Sequence, residues 1–406
     1  MAGGAVTLPP GVAARVPAAL RERLSALRRD LHRRPELAFE ERETQARLRT
    51  ELEALGLSEV REVAGTGLLA RIPGRGGDGR PAGGRVPPPV VVRGDIDALP
   101  ILEATGAPFA SELPGRMHAC GHDVHASWAV GAAALLAAEP AAGDVLVLLQ
   151  PAEEVAGGAA AVLASGALDG AGAVFGGHVD LRFEVGQVVV QAGPLAASAD
   201  SFRIELVGSG AHGARPHEGR DPIVGGAALI CALQTIVSRR LAPGTPAVVT
   251  VGAFHAGTAA NVIPERAELG GTLRALDPAV RATLRREVEA IARGVAAAHG
   301  LEARFTLGEG APPLVNPERG AAWARTAAAR VLGEAALRPM GTTNMGGEDF
   351  ACYLERLPGC FLRIGARRPG DPVVPAHSPR FLPADEAVAV GAAVLAECAR
   401  VASEAL

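Results

Sequence analysis

Two kinds of apolar pattern alternate along the first half of the chain. Arg21 to Leu31 and Glu41 to Leu55 place Leu and Ala at helical spacing beside charged faces, which predicts two amphipathic helices. Three short runs are instead built on consecutive apolar residues without a helical period: "VVVRGDIDALP" (Val90 to Pro100), "DVLVLLQPAEE" (Asp144 to Glu154) and "AVFGGHVD" (Ala173 to Asp180). An Ala-rich segment, Val124 to Glu139, separates the first two and predicts a helix. Apolar strands alternating with helices indicate a covered, largely parallel α/β sheet. Each run ends in polar residues, and ligands of open α/β sheets sit at the strands' carboxyl ends. Residues 1 to about 12 read as a loose tail, and Pro73 to Pro89, rich in Gly, Pro and Arg, as an exposed flexible loop.

After about Ala192 the pattern changes. "DSFRIELVGSG" alternates and reads as a half-buried strand. "DPIVGGAALICALQTIVSRR" predicts a long helix with Pro222 in its first turn. "PAVVTVGAFHAG" and "RAELGGTLRAL" are strand-like, and "DPAVRATLRREVEAIARGVAAAHG" is an amphipathic helix ended by Gly300. From about Gly308 the α/β type returns, with a helix near Arg319 to Leu332, the strand "CFLRIG" and a last helix from Ala384. The simplest organisation is a domain inserted in a domain: residues 1–192 and 307–406 form one, and 193–306 the insertion.

Composition narrows the classes. At 406 residues, two domains are expected. A net charge of −4 and a pI near 6.2 give no case for nucleic acid or an anionic membrane. Every basic side chain is Arg, a coding bias that makes single surface Arg residues uninformative. Five irregularly spaced Cys argue against a disulfide framework. No signal-peptide pattern opens the chain and no apolar run reaches the ~20 residues of a membrane span, so a soluble cytoplasmic protein is expected.

Against that background "MHACGHDVHASW" stands out, with one Cys and three His between His118 and His125. Cys120 and His122 can face the same way across Gly121, and thiolate plus imidazole suits zinc-like ions. Asp123 could hold a ring N–H. A buried structural Cys, or a Cys nucleophile with a His base, fits the same residues. In "QPAEE", Pro151 stops the strand and leaves Glu153 and Glu154 adjacent, as a metal ligand and a general base would be, or as an acidic helix start. "GGHVD" puts His178 at a strand end, "PAHSPRF" puts His377 on a late loop, and "RGDIDALP" adds Asp95 and Asp97. Gly208, Gly210 and Gly213 spell G-x-G-x-x-G, but the helix is delayed to about Pro222 and no acidic strand end follows, which excludes a dinucleotide site.

Together with "GAHGARPHEGRDPIVGGAALICALQTIVSR", "NVIPERAELGGTLR", "GGEDFACYL", "LPGCFLRIG" and "AHSPRF", these stretches resemble the metal-dependent amidohydrolase family of bacterial N-acyl-amino-acid hydrolases, hippurate hydrolases and plant auxin-conjugate hydrolases. They stand in the family's order from about Arg21 to the end. The resemblance implies a mixed-sheet α/β catalytic domain with an inserted α+β (ferredoxin-like) dimerisation or lid domain. It implies two divalent ions (Zn, Mn, Co or Ni) on a bridging Cys120 with His122, Glu154, His178 and His377. Glu153 matches the general base and Asp97 an orienting acid. His212 matches a His given to the neighbouring subunit's active site, and Asn261 and Arg274 match groups that hold the substrate's carboxylate. The implied reaction is hydrolysis of an N-acyl-amino acid by a homodimer. A non-catalytic metal-binding homologue and a small-dipeptide or aminoacyl-conjugate peptidase are the alternatives. Three departures from the family pattern bear on the shape of the pocket: Gly94 where Ala is usual, Ala376 where Leu is common, and no Pro after His178.

Overall fold

A computed structural model describes residues 6–75, 86–308, 310–342 and 344–406. The loop expected at Pro73 to Pro89 falls largely on residues 76–85, outside the described residues. The chain divides into two compact units, one of residues 1–193, 316–342 and 352–406, the other of 194–315 and 343–351.

The first unit is built on a seven-stranded sheet in the order Val60–Val63, Gly67–Ile72, Val145–Gln150, Val90–Asp95, Ala173–Glu184, Gly359–Arg367, Val188–Val189. Its four central strands are mutually parallel and its edge pairs antiparallel. Val90–Asp95 is buried along its whole length, which is why it opens on three consecutive Val and why its Arg93 and Asp95 pair with each other. The helix His122–Ala138 is buried on nearly every side, so its sequence shows no polar face. Small residues let its neighbours close on it. A Cβ added at Gly131 would meet Ala392 Cβ at 2.7 Å and Leu24 Cδ1 at 2.8 Å, and one at Gly391 would meet Trp128 Cε3 at 2.3 Å. The helices Ala18–Arg33 and Glu386–Ala405 thus lock the element that carries His122.

Ala173–Glu184 continues six residues past His178, which therefore lies inside a strand rather than at its end. Pairing with Gly359–Arg367 sustains it after Val90–Asp95 stops.

The second unit follows β-α-β-β-α-β order: Asp200–Val207, Pro222–Leu233, Ala247–Ala256, Arg266–Ala275, Pro278–Ala298, Glu302–Leu307. Its antiparallel sheet runs Ala247–Ala256, Arg266–Ala275, Asp200–Val207, Glu302–Leu307, the ferredoxin-like arrangement. Phe202, Ile204 and Leu206 alternate into a core with Leu229, Leu233, Leu284 and Val288. Asp221 and Asp277 cap the two helices by accepting from the backbone N–H groups of Ile223 and Ala279, each ahead of a Pro. The helix expected to reach Arg240 stops at Leu233 and gives way to a wider turn, Ile236–Arg240. The strand Glu302–Leu307 has no counterpart among the elements predicted from the sequence. The junction expected at 306/307 lies at 315/316. Gly310 and Ala311 are tied into this unit by bonds from Arg281 to the Gly310 carbonyl and from Ala199 N to the Ala311 carbonyl.

Candidate metal centre

The polar residues at the carboxyl ends of the parallel strands converge in the first unit. Gly121 has φ +88°, and a Cβ there would lie 2.5 Å from Val179 Cγ2. Only glycine fits, and its turn lets Cys120 precede a helix that begins at His122. Gly94 is constrained by sterics alone, since a Cβ would meet the His125 carbonyl oxygen at 2.5 Å. After Gln150 the chain turns through Ala152 at φ +54°, and Glu41 accepts from Ala152 N at 2.9 Å. His377 also has a positive φ, +66°, and its N–H donates to the Ala119 carbonyl at 2.8 Å. Left-handed non-glycine residues cluster where the surroundings over-determine them.

Cys120, His122 and His178 bring one donor atom each within 4.8 Å of one another, and so do Cys120, Glu154 and His377. The two groups share Cys120. Glu153 and Glu154 lie 3.9 and 3.8 Å from His122 Nε2, and His377 Nε2 lies 3.4 Å from Glu154. Hydrogen bonds orient the rings. His122 Nδ1 donates to the Asp97 carbonyl at 2.9 Å, and His178 Nδ1 donates to the Val179 carbonyl at 2.7 Å. Each therefore presents Nε2 to the cluster. Asp97 also accepts from Glu154 N at 3.0 Å, coupling the Asp97 and Glu154 loops. His122 Nε2 and Glu154 Oε1 are buried with no hydrogen-bond partner among the described residues. Two orphaned donors beside a thiol and two more imidazoles are what a divalent cation satisfies.

Burial, followed by the Glu154 carboxylate, pushes the Cys120 thiol well above its ordinary range. Burial, followed by the Arg363 cation, holds His178 well below its own. Burial also pulls His122 down, but Asp95, Asp97 and Cys120 outweigh it and raise it. Cation binding thus releases protons here, and the thiol becomes a thiolate only with that partner. The same arrangement argues against an independently activated Cys nucleophile.

Two residues behind the cluster, His125 and Arg93, lie outside the ligand set that the resemblance implies. His125 donates from Nδ1 to Asp95 at 2.6 Å and accepts at Nε2 from Val179 N at 3.0 Å, which leaves no nitrogen for a cation. Arg93 pairs with Asp95 and donates to Gln150 at 2.8 Å, where Tyr353 also donates. The i, i+3 spacing of His122 and His125 was the available signal. Asp123, expected beside a cluster ring, faces away from it: it accepts from His32 Nδ1 at 2.8 Å and pairs with Arg28 at 2.7 Å. One helical step of about 100° past His122 accounts for this.

His212 and Asn261 meet in the second unit, where Ala211–His212 pairs with Val262–Ile263 and Gly213 N donates to the Asn261 carbonyl. His212 Nδ1 accepts from Ala214 N at 3.0 Å, so its proton sits on Nε2. Arg274 lies in the strand Arg266–Ala275, beside Gly347. His217, in the short helical turn Pro216–Glu218, is exposed. The loop of Gly208, Gly210 and Gly213 leads into the strand Ala211–His212, not a helix.

The model of peptidase family M20/M25/M40 matches residues 91–401. An N-acetyl-L-cysteine deacetylase of Bacillus subtilis (strain 168) is 42% identical over 348 residues, 85% of this chain and 81% of that one. An N-acetylcysteine deacetylase of the same strain is 39% identical over 390 residues, 95% of this chain and 98% of that one. A crystal structure from Bacillus subtilis, described as a dinuclear metal binding peptidase of the M20 family, superposes with a TM-score of 0.82 at 36% identity and covers 96% of this chain and 100% of that one.

Proposed function

The chain belongs to peptidase family M20/M25/M40, and on that premise we propose that it is a metal-dependent amidohydrolase that cleaves N-acyl-amino acids to a carboxylic acid and a free amino acid. The observation that carries the reading is the pair of donor groups sharing Cys120, with His122 Nε2 and Glu154 Oε1 orphaned between them. Cys120, shared by both groups, would hold two divalent ions of the Zn, Mn, Co or Ni kind together with His122, Glu154, His178 and His377. Bound there, such ions supply Lewis acidity toward the amide carbonyl and acidify water.

The chain's own groups do the rest. Glu153, adjacent to a ligand and only 10% exposed, takes the proton of the attacking water and later gives it to the leaving amine. Asp97 holds His122 and the Glu154 backbone in place. His212, with its proton on Nε2, is an oxyanion donor for the neighbouring subunit of a homodimer. Arg274 and Asn261 hold the α-carboxylate. Five free thiols suit the reducing cytoplasm.

The test is release of free amino acid from a panel of N-acyl-amino acids by protein with counted metal. Turnover that disappears with a chelator and returns with Zn, Mn, Co or Ni is expected. Two bound ions with no turnover on any substrate would leave a metal-binding homologue without catalysis.

A further inference from the structure

Arg363 stands directly opposite His178 on the parallel strand Gly359–Arg367. Paired residues of parallel strands share a face of the sheet, so the guanidinium stands beside the donor cluster. It is only 8% exposed, and its Nε is buried without a hydrogen bond. Among the described residues it has neither an ion pair nor a hydrogen bond. Asp180, two positions beyond His178 and so on the same face, gives both carboxylate oxygens to Arg182 at 2.6–3.2 Å instead. The Phe361 ring, with its centroid 5.9 Å away, offers contact without neutralisation.

An ionised guanidinium taken out of water without a counter-charge is strongly unfavourable. Where a fold carries one beside a reaction centre, a ligand is the natural source of that charge, and the planar fork matches a carboxylate. We propose that Arg363 binds a carboxylate on the acyl half of the substrate, so that the enzyme favours N-acyl-amino acids whose acyl group is itself a dicarboxylic-acid residue, such as succinyl or glutaryl. This rests on the reading above, in which Arg274 and Asn261 take the α-carboxylate and leave Arg363 to the other half of the molecule.

The experiment compares N-succinyl and N-butyryl derivatives of one amino acid, similar in length and differing in the carboxylate. Metal-loaded wild type is expected to favour the succinyl compound by about 10- to 100-fold in kcat/KM, mainly through KM, the range for a charge-assisted hydrogen bond. In Arg363→Met the ratio collapses to about one, and Arg363→Lys recovers part of it. The melting temperature of Arg363→Met stays level or rises, because an unpaired buried cation has gone. A ratio near one in wild type, or a ratio that survives in Arg363→Met, overturns the proposal. If no substrate turns over although two ions are bound, the amidohydrolase reading fails by itself. Calorimetry of succinate against butyrate on the same two metal-loaded proteins then decides: stronger succinate binding lost in Arg363→Met upholds the carboxylate site, and equal binding of the two acids overturns it.

Discussion

Gly121→Ala tests whether the turn between Cys120 and His122 is a geometric requirement of the site. Two costs meet at this position. With φ at +88°, an L side chain is strained by about 1–2 kcal/mol. The added Cβ would also sit 2.5 Å from Val179 Cγ2 and 3.4 Å from Phe381 Cε1. Relieving such overpacking costs a further ~1–3 kcal/mol, for a total of about 2–5 kcal/mol. Gly115→Ala is the control: its φ is +81°, but apart from its chain neighbours no atom of the described residues lies within 4 Å of the added Cβ, so only the strain remains. Denaturant unfolding of both metal-free variants should place Gly121→Ala below Gly115→Ala. The flanking donors would also be displaced, and disturbed supports of a ligand typically weaken metal affinity ~10- to 100-fold. Competition with a chromophoric chelator should register that loss in Gly121→Ala alone. Equal stability of the two variants, with equal metal affinity, would refute the reasoning.

Three further outcomes are expected. Glu153→Gln should keep both metals and lose turnover, whereas Glu154→Ala should lose metal, read by elemental analysis beside kinetics; near-normal turnover in Glu153→Gln would remove Glu153 as the base. His212→Ala should lose ~10²–10³ in turnover with metal retained, and mixing it with Glu153→Gln under confirmed subunit exchange should restore activity, whereas no recovery excludes action across the dimer. Burial raises the Glu103 carboxyl, but His32, Thr105 and the Ser111 N–H outweigh it and hold it near 2, against 4.5 unperturbed. Its contribution is therefore present above pH 4.5 and lost as pH falls toward 2, so the stability gap between wild type and Glu103→Gln should shrink across that window, and a constant gap would disprove the pairing.

Much of the architecture is a local property of the chain and can be read from it. Val90–Val92 and Val145–Leu149 are apolar without a break because both faces are covered, and Asp200–Val207 alternates because one face is. Residue chemistry is local too, so Cys120, His122, Glu153 and Glu154 announce themselves as donors. What each donor touches is a matter of long-range register and helical phase. Asp95 and Asp97 look alike in "RGDIDALP", yet one turns to His125 and the other to His122. Asp123, next to a cluster residue in sequence, is carried by helix rotation to Arg28 and His32, about ninety positions earlier in the chain. Arg363 is one Arg among many in the sequence; parallel pairing sets it opposite His178, and burial leaves its side chain without an ion-pair partner among the described residues. Residue types and their spacing thus show which donor chemistry the chain has to offer. Which groups are paired and which are left open to a ligand emerges from long-range packing, because pairing depends on distances that no local pattern encodes.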